Sequence, residues 1–195
     1  HEIGHSLGLN HPQDGPASGS FLSVEADQSD RSIMGYDSNI YDESDPDLLI
    51  EPAGDFAYFS GDHPLPLDIE AMEFLYGRND QVRIDDTTYK FDPDVYDMSD
   101  SYLAQYRTAV VDDGGIDTYD FSLIDTDSPV FINLNPGTWS TIVTGVEDLV
   151  IDTQEEIYQY GQLFTAEDAI IENAIGSSYN DIIQGNDADN VINAA

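Results

Sequence analysis

Residues 1–11 read HEIGHSLGLNH. His1 and His5 are four apart, so on a helix they share one face, about 6 Å from each other along the axis. Two imidazoles so placed can hold one small cation. Glu2 adjoins the first of them but is angled away from the metal, a position suited to a general base acting on water. Gly8 follows His5 by three residues, and glycine permits the positive φ that ends a helix and turns the chain. That turn lets His11 swing back as a third ligand. Three protein ligands and one open position describe a catalytic zinc rather than a structural one.

The rest of the composition fits a cation-binding protein. The chain has 195 residues, 5 Lys plus Arg against 40 Asp plus Glu, and a formal net charge of -35. Nucleic acid and anionic membranes are repelled by such a surface, whereas hard cations are attracted to its carboxylates. Much of this charge is equally explained as solvation in saline surroundings, and Lys90 is the single lysine. Hydrophobic residues make up 40%, enough for a packed core, and 12 Tyr with 8 Phe favour strands. No cysteine is present, which excludes disulfides and thiolate sites. No apolar run approaches the ~20 residues of a membrane-spanning helix.

The complete HExxHxxGxxH pattern resembles the metzincin zinc peptidases. In that family a tight turn with methionine lies beneath the metal. Here SIMGYDS, residues 32–38, matches it. The resemblance implies that Met34 is the apolar floor under the imidazoles. It also implies that Tyr36 is a fifth zinc ligand at rest that swings to hydrogen-bond the oxyanion in turnover.

Residues 64–77, PLPLDIEAMEFLYG, read as a helix, with Pro66 in the first turn, Asp68 near its positive end and Gly77 as the stop. Ile69, Met72, Leu75 and Tyr76 form its apolar stripe. It is similar to the helix that closes a serralysin catalytic domain. Beyond it the pattern changes to short β-branched and aromatic runs at 87–91, 108–111, 118–124 and 130–134, punctuated by Asp, Gly, Asn and Pro. RIDDTTY (83–89) and DDGGIDTYDFS (112–122) resemble the first calcium loops of serralysins. By that resemblance one calcium takes the carbonyls of Arg83, Asp85 and Gly114 with Thr87, Asp112 and Asp117. A second takes Gly115, Asp117, the Ile170 carbonyl and Glu172. Asp85 and Ile170 depart from the family pattern, where glycine and threonine are common.

The tail IENAIGSSYNDIIQGNDADNVINAA has a period of nine that pairs Gly176 with Gly185, Asp181 with Asn190 and Ile183 with Ile192. It looks like the onset of an RTX β-roll, whose glycine-rich half turns around calcium. Ser177, Tyr179 and Asn190 weaken the match, so weak calcium binding is expected at Asp181. About two repeats are present where solenoids need about three. The chain therefore reads as a piece of a longer protein, opening inside one motif and closing inside another.

The expected fold class is α+β. Residues 1–78 form the C-terminal part of a metzincin catalytic domain. Residues 79–195 form an all-β calcium-binding domain, with RTX-like coils from about 173. The expected function is that of a secreted, extracellular, monomeric zinc endopeptidase of the serralysin type, with Zn2+ and Ca2+ as cofactors and proteins or peptides as substrates. The alternative is a calcium-binding secretion or binding module attached to an inactive peptidase half. The long acidic stretches 12–31 and 37–62 are expected to border the cleft. His63 reads as an incidental surface residue, and 139–165 carries no chemical motif.

Overall fold

A computed structural model describes residues 1–11, 32–34, 64–91, 108–124, 130–141 and 162–194. The chain falls into two compact units, His1–Arg78 with Gln105–Thr108, and Asn79–Ala104 with Ala109–Ala195.

In the first unit the opening motif forms a short helix, α1 (Glu2–Ser6), and the second helix is α2 (Pro66–Tyr76). Helix α1 ends where Gly8 takes φ 91°, a conformation that costs a non-glycine residue a steric penalty. Gly4 and Leu9 are the buried residues of this stretch. Gly4 packs on the Met34 thioether so closely that an added Cβ would overlap Sδ. Met34 itself is 1% exposed. At the far end of α2, the Tyr76 hydroxyl donates to the Leu7 carbonyl at 2.6 Å, fixing the end of α1. Half of the expected apolar stripe of α2 is exposed: Ile69 and Met72 are half-buried, but Leu75 and Tyr76 are 51% and 67% exposed, whereas Asp68 is 2% exposed.

The second unit is built from three-residue strands. β1 (Thr88–Lys90), β3 (Thr118–Asp120), β7 (Asn173–Ile175) and β9 (Val191–Asn193) form a parallel sheet in the order β1-β3-β7-β9. β2 (Thr108–Val110), β6 (Leu163–Thr165) and β5 (Thr138–Ser140) form a second sheet, and β4 (Phe131–Asn133) pairs in parallel with β8 (Ile182–Gln184). Parallel neighbours need crossovers, and between β7 and β9 the crossover runs through β8 of the third sheet.

Registers place like with like. Tyr89, Tyr119, Ala174 and Ile192 lie in one row across the first sheet, and Ile132 faces Ile183 in the third. Tyr119, Phe121, Ile132, Leu134, Leu163 and Ile171 are at most 1% exposed and anchor the core. Phe91 stacks on Phe121 at 4.4 Å, and the buried Tyr119 hydroxyl is satisfied by Thr165 Oγ1 at 2.8 Å. The segment without a chemical motif in sequence contributes β5 and β6, an antiparallel pair in which Trp139 faces Phe164.

Candidate metal centre and calcium loops

The three imidazoles of the opening motif meet at one point. Ring centroids are 4.9 Å apart for His1–His5, 5.2 Å for His1–His11 and 4.7 Å for His5–His11. The His11 Nε2 lies 3.2 Å from Nε2 of His1 and 3.1 Å from Nε2 of His5. Two carbonyls fix which nitrogen bears the proton. His1 Nδ1 donates to the Ile33 carbonyl at 2.9 Å, and His5 Nδ1 to the Leu9 carbonyl at 3.0 Å. A carbonyl only accepts, so the Nε2 atoms of both rings carry lone pairs toward the centre.

A proton on His11 Nε2 would satisfy at most one of these two lone pairs. A cation satisfies all three nitrogens. Tetrahedral ligands at Zn–N distances of 2.0–2.1 Å stand about 3.3 Å apart, close to the spacing seen. The donor set therefore fits zinc, and it is the one metal-competent His, Cys, Asp or Glu group of this kind among the described residues. Glu2 occupies the first turn of α1, exposed beside His1. Met34 lies buried against Gly4 of the same helix. Tyr36 lies outside the described residues, as do 12–31, 37–62 and His63.

The acidic loops of the second unit converge as well. Asp112 and Asp117 are 1% and 0% exposed. Asp112 accepts from Gly114 N–H at 3.0 Å and from the Tyr89 hydroxyl through a short contact. Asp117 Oδ1 accepts from Thr87 N–H at 2.7 Å, and Glu172 reaches the Asp117 N–H at 2.7 Å. Asp117 Oδ2 is buried with no hydrogen-bond partner. Burial, opposed in part by the Thr87 hydrogen bond and reinforced by the charges of Asp112, Glu172 and Asp86, pushes its carboxyl up to about 6. A buried acceptor oxygen among carboxylates is the environment that a hard cation stabilises.

Around this cluster Asp85 carries a carbonyl that accepts from Thr87 Oγ1 at 2.8 Å. Gly115, at φ 125°, has the Asp85 carbonyl so close that a Cβ would stand 2.8 Å from its oxygen. Arg83, at φ 51°, donates to the Val111 carbonyl and lies over the Tyr89 ring at 5.5 Å. The Ile170 side chain is exposed. The sequence reading missed Tyr89 as the partner of Asp112, and Asp86, which accepts from Ile116 N–H at 2.9 Å. A tyrosine inside an alternating strand reads as core, with nothing to mark its hydroxyl.

The two nine-residue coils share one turn geometry and differ in chemistry. A Cβ on Gly176 would overlap the Asp181 carboxylate, and one on Gly185 would overlap the Asn190 amide. Asp181 accepts from Ser177 N–H, Ser177 Oγ and Val130 N–H at 2.6–3.1 Å. Asn190 instead accepts from Asn186 N–H and donates to the Glu172 carbonyl at 2.9 Å. The Asn186 amide donates to the Leu134 and Ile171 carbonyls, each at 2.9 Å. In the second coil, amide N–H groups thus occupy carbonyls of the preceding chain.

Residues 78–195 match the family model described as the C-terminal domain of M10 serralysin peptidases. The chain belongs to the serralysin family. It is 36% identical to the serralysin of Photorhabdus luminescens over 98% of this chain and 36% of that protein. It is 34% identical to the serralysin of Proteus mirabilis over 98% of this chain and 35% of the relative. It is also 36% identical to the metallopeptidase AprA of Pseudomonas marginalis, over 98% and 37%. The chain thus spans little more than a third of the length of these serralysin relatives. Its β-rich second unit agrees with the serralysin C-terminal domain, and no helix among the described residues is long and apolar enough to cross a membrane.

Proposed function

We propose that the protein carrying this chain is a secreted, zinc-dependent endopeptidase acting on proteins, with the first unit as part of its catalytic domain. The observation that carries this reading is the convergence of the His1, His5 and His11 Nε2 atoms, with two of the rings locked by carbonyls. Zinc bound there supplies Lewis-acid polarisation of the scissile carbonyl. Glu2 takes the proton of the attacking water and hands it to the departing amine. The Tyr36 hydroxyl donates to the oxyanion as it develops. Met34 supports the helix that carries His1 and His5.

In the second unit Asp112, Asp117 and Glu172, with the carbonyls of Arg83, Asp85, Gly114 and Ile170, and with Thr87 and Gly115, hold calcium. The buried, partnerless Asp117 Oδ2 supports this assignment. The nine-residue spacing of β7, β8 and β9, with β7 and β9 in one sheet and β8 in another, supports the onset of a parallel β-roll. Asp181 is the weak calcium position of that roll, and the coil closed by Asn186 and Asn190 instead holds carbonyls of the preceding chain by amide hydrogen bonds.

The experiment is hydrolysis of an unfolded protein substrate by the full natural protein, in saturating calcium, with and without 1,10-phenanthroline. Cleavage is expected to vanish with the chelator and to return on adding zinc. Cleavage indifferent to the chelator would overturn the zinc mechanism, and none from zinc-loaded folded protein would move the function to the calcium-binding unit as a secretion or binding module.

A further inference from the structure

Asp68 is nearly sequestered from water, yet its carboxylate does more than cap α2. Its Oδ2 accepts from Leu65 N–H, the residue preceding α2, and from Ile33 N–H, each at 2.9 Å. Its Oδ1 accepts from the Ser32 hydroxyl at 2.6 Å. That hydroxyl in turn accepts from Met34 N–H at 2.9 Å. Met34 N–H and the Ile33 carbonyl belong to the same peptide group, and the Ile33 carbonyl accepts from His1 Nδ1 at 2.9 Å.

The donors therefore run in one direction: imidazole to peptide carbonyl, peptide N–H to hydroxyl, hydroxyl to carboxylate. Each bond polarises the next, and a run of this kind in a water-poor setting is stronger than its separate members. Metal-ligating histidines commonly donate their other N–H directly to a carboxylate, which fixes the tautomer and makes the ligating nitrogen a better donor. Here one peptide and one hydroxyl stand between the two groups.

We infer that Ser32 and Asp68 are positioning residues for the metal ligand His1, acting through the Ile33–Met34 peptide as an extended carboxylate–histidine pair. The inference rests on the reading of the three histidines as a zinc site. Asp68 holds the 32–34 turn through its bonds from Ile33 N–H and the Ser32 hydroxyl, and through the Ser32 bond it strengthens the acceptor facing His1; its third bond, from Leu65 N–H, caps α2. Both residues are buried, Ser32 at 3% and Asp68 at 2% exposure.

The test is zinc affinity in the full natural protein, read by competition with a chromophoric chelator, for wild type, Ser32→Ala, Ser32→Thr and Asp68→Asn. Far-UV circular dichroism reports folding of each. Ser32→Ala is expected to weaken zinc binding about tenfold, and Ser32→Thr, which keeps the hydroxyl, to restore most of it. Asp68→Asn is expected to lose at least as much and serves alone if Ser32→Ala does not fold. The d–d spectrum of the cobalt-substituted protein should shift in Ser32→Ala and return in Ser32→Thr, a change that lost stability alone does not produce. Equal zinc affinity in wild type and folded Ser32→Ala overturns the relay while leaving the site intact. Equal losses in the Ala and Thr variants overturn it too. Wild type that fails to bind zinc removes the site reading itself.

Discussion

Replacing Glu2 by Gln in the full natural protein should lower the rate of peptide hydrolysis by on the order of 10²–10⁴-fold, the usual range for a lost general acid–base. Glutamine keeps the length and the neutral hydrogen bonding of the side chain but cannot accept a proton. Glu2 is exposed beside His1 in the first turn of α1 and is not among the three converging ligand groups. Zinc affinity should therefore be retained, and the loss should fall on kcat rather than on metal content. Steady-state kinetics with zinc analysis of the same samples checks this. A Glu2→Gln enzyme of near wild-type turnover would assign the base elsewhere.

Calcium-free protein should be more stable near pH 5 than near pH 7.5. Asp117 has its carboxyl raised from 3.8 to about 6 by burial and by the neighbouring charges of Asp112, Glu172 and Asp86. Between these values the fold binds a proton that the unfolded chain has already lost. Stability therefore rises as pH falls through that window and declines as pH climbs through about 6. Added calcium should reverse the preference, because a bound cation favours the ionised carboxylate. Overall repulsion within so acidic a chain acts in the same direction, so Asp117→Asn is the control. It should raise the calcium-free melting temperature at neutral pH, flatten the pH profile and remove much of the stabilisation by calcium. Thermal unfolding with and without calcium measures all three. A calcium-free form that is more stable at neutral pH would contradict the account of the cluster.

What could be read from sequence follows a physical division. The convergence of the three histidines was legible because a helix fixes the phase of residues four apart and Gly8 permits the turn that returns His11. The approach of Asp117 to Glu172 was legible only through family resemblance, since 55 residues separate the two. Ser32 and Asp68 were not connected in the sequence reading at all. They are 36 residues apart, and a carboxylate in the first turn of a helix is explained locally by the helix dipole.

The first four strands were placed but read too long, and β5 and β6 were not read as strands. The run 118–124 is strand only over Thr118–Asp120: Phe121 N–H still donates to the Ile175 carbonyl, and the chain then turns, with Ser122 N–H donating to Asp120 Oδ1 and Ile124 N–H to the Phe121 carbonyl. Apolar periodicity also misread the C-terminal end of α2. Leu75 and Tyr76 fit the stripe yet are largely exposed, and the hydroxyl of Tyr76 serves Leu7.

Zinc K-edge X-ray absorption of the zinc-loaded full natural protein tests the central claim most directly. The account predicts one zinc per chain with three imidazole nitrogens at about 2.0–2.1 Å and oxygen completing the shell. A zinc shell without imidazole, or no zinc retained by the folded protein, would contradict it.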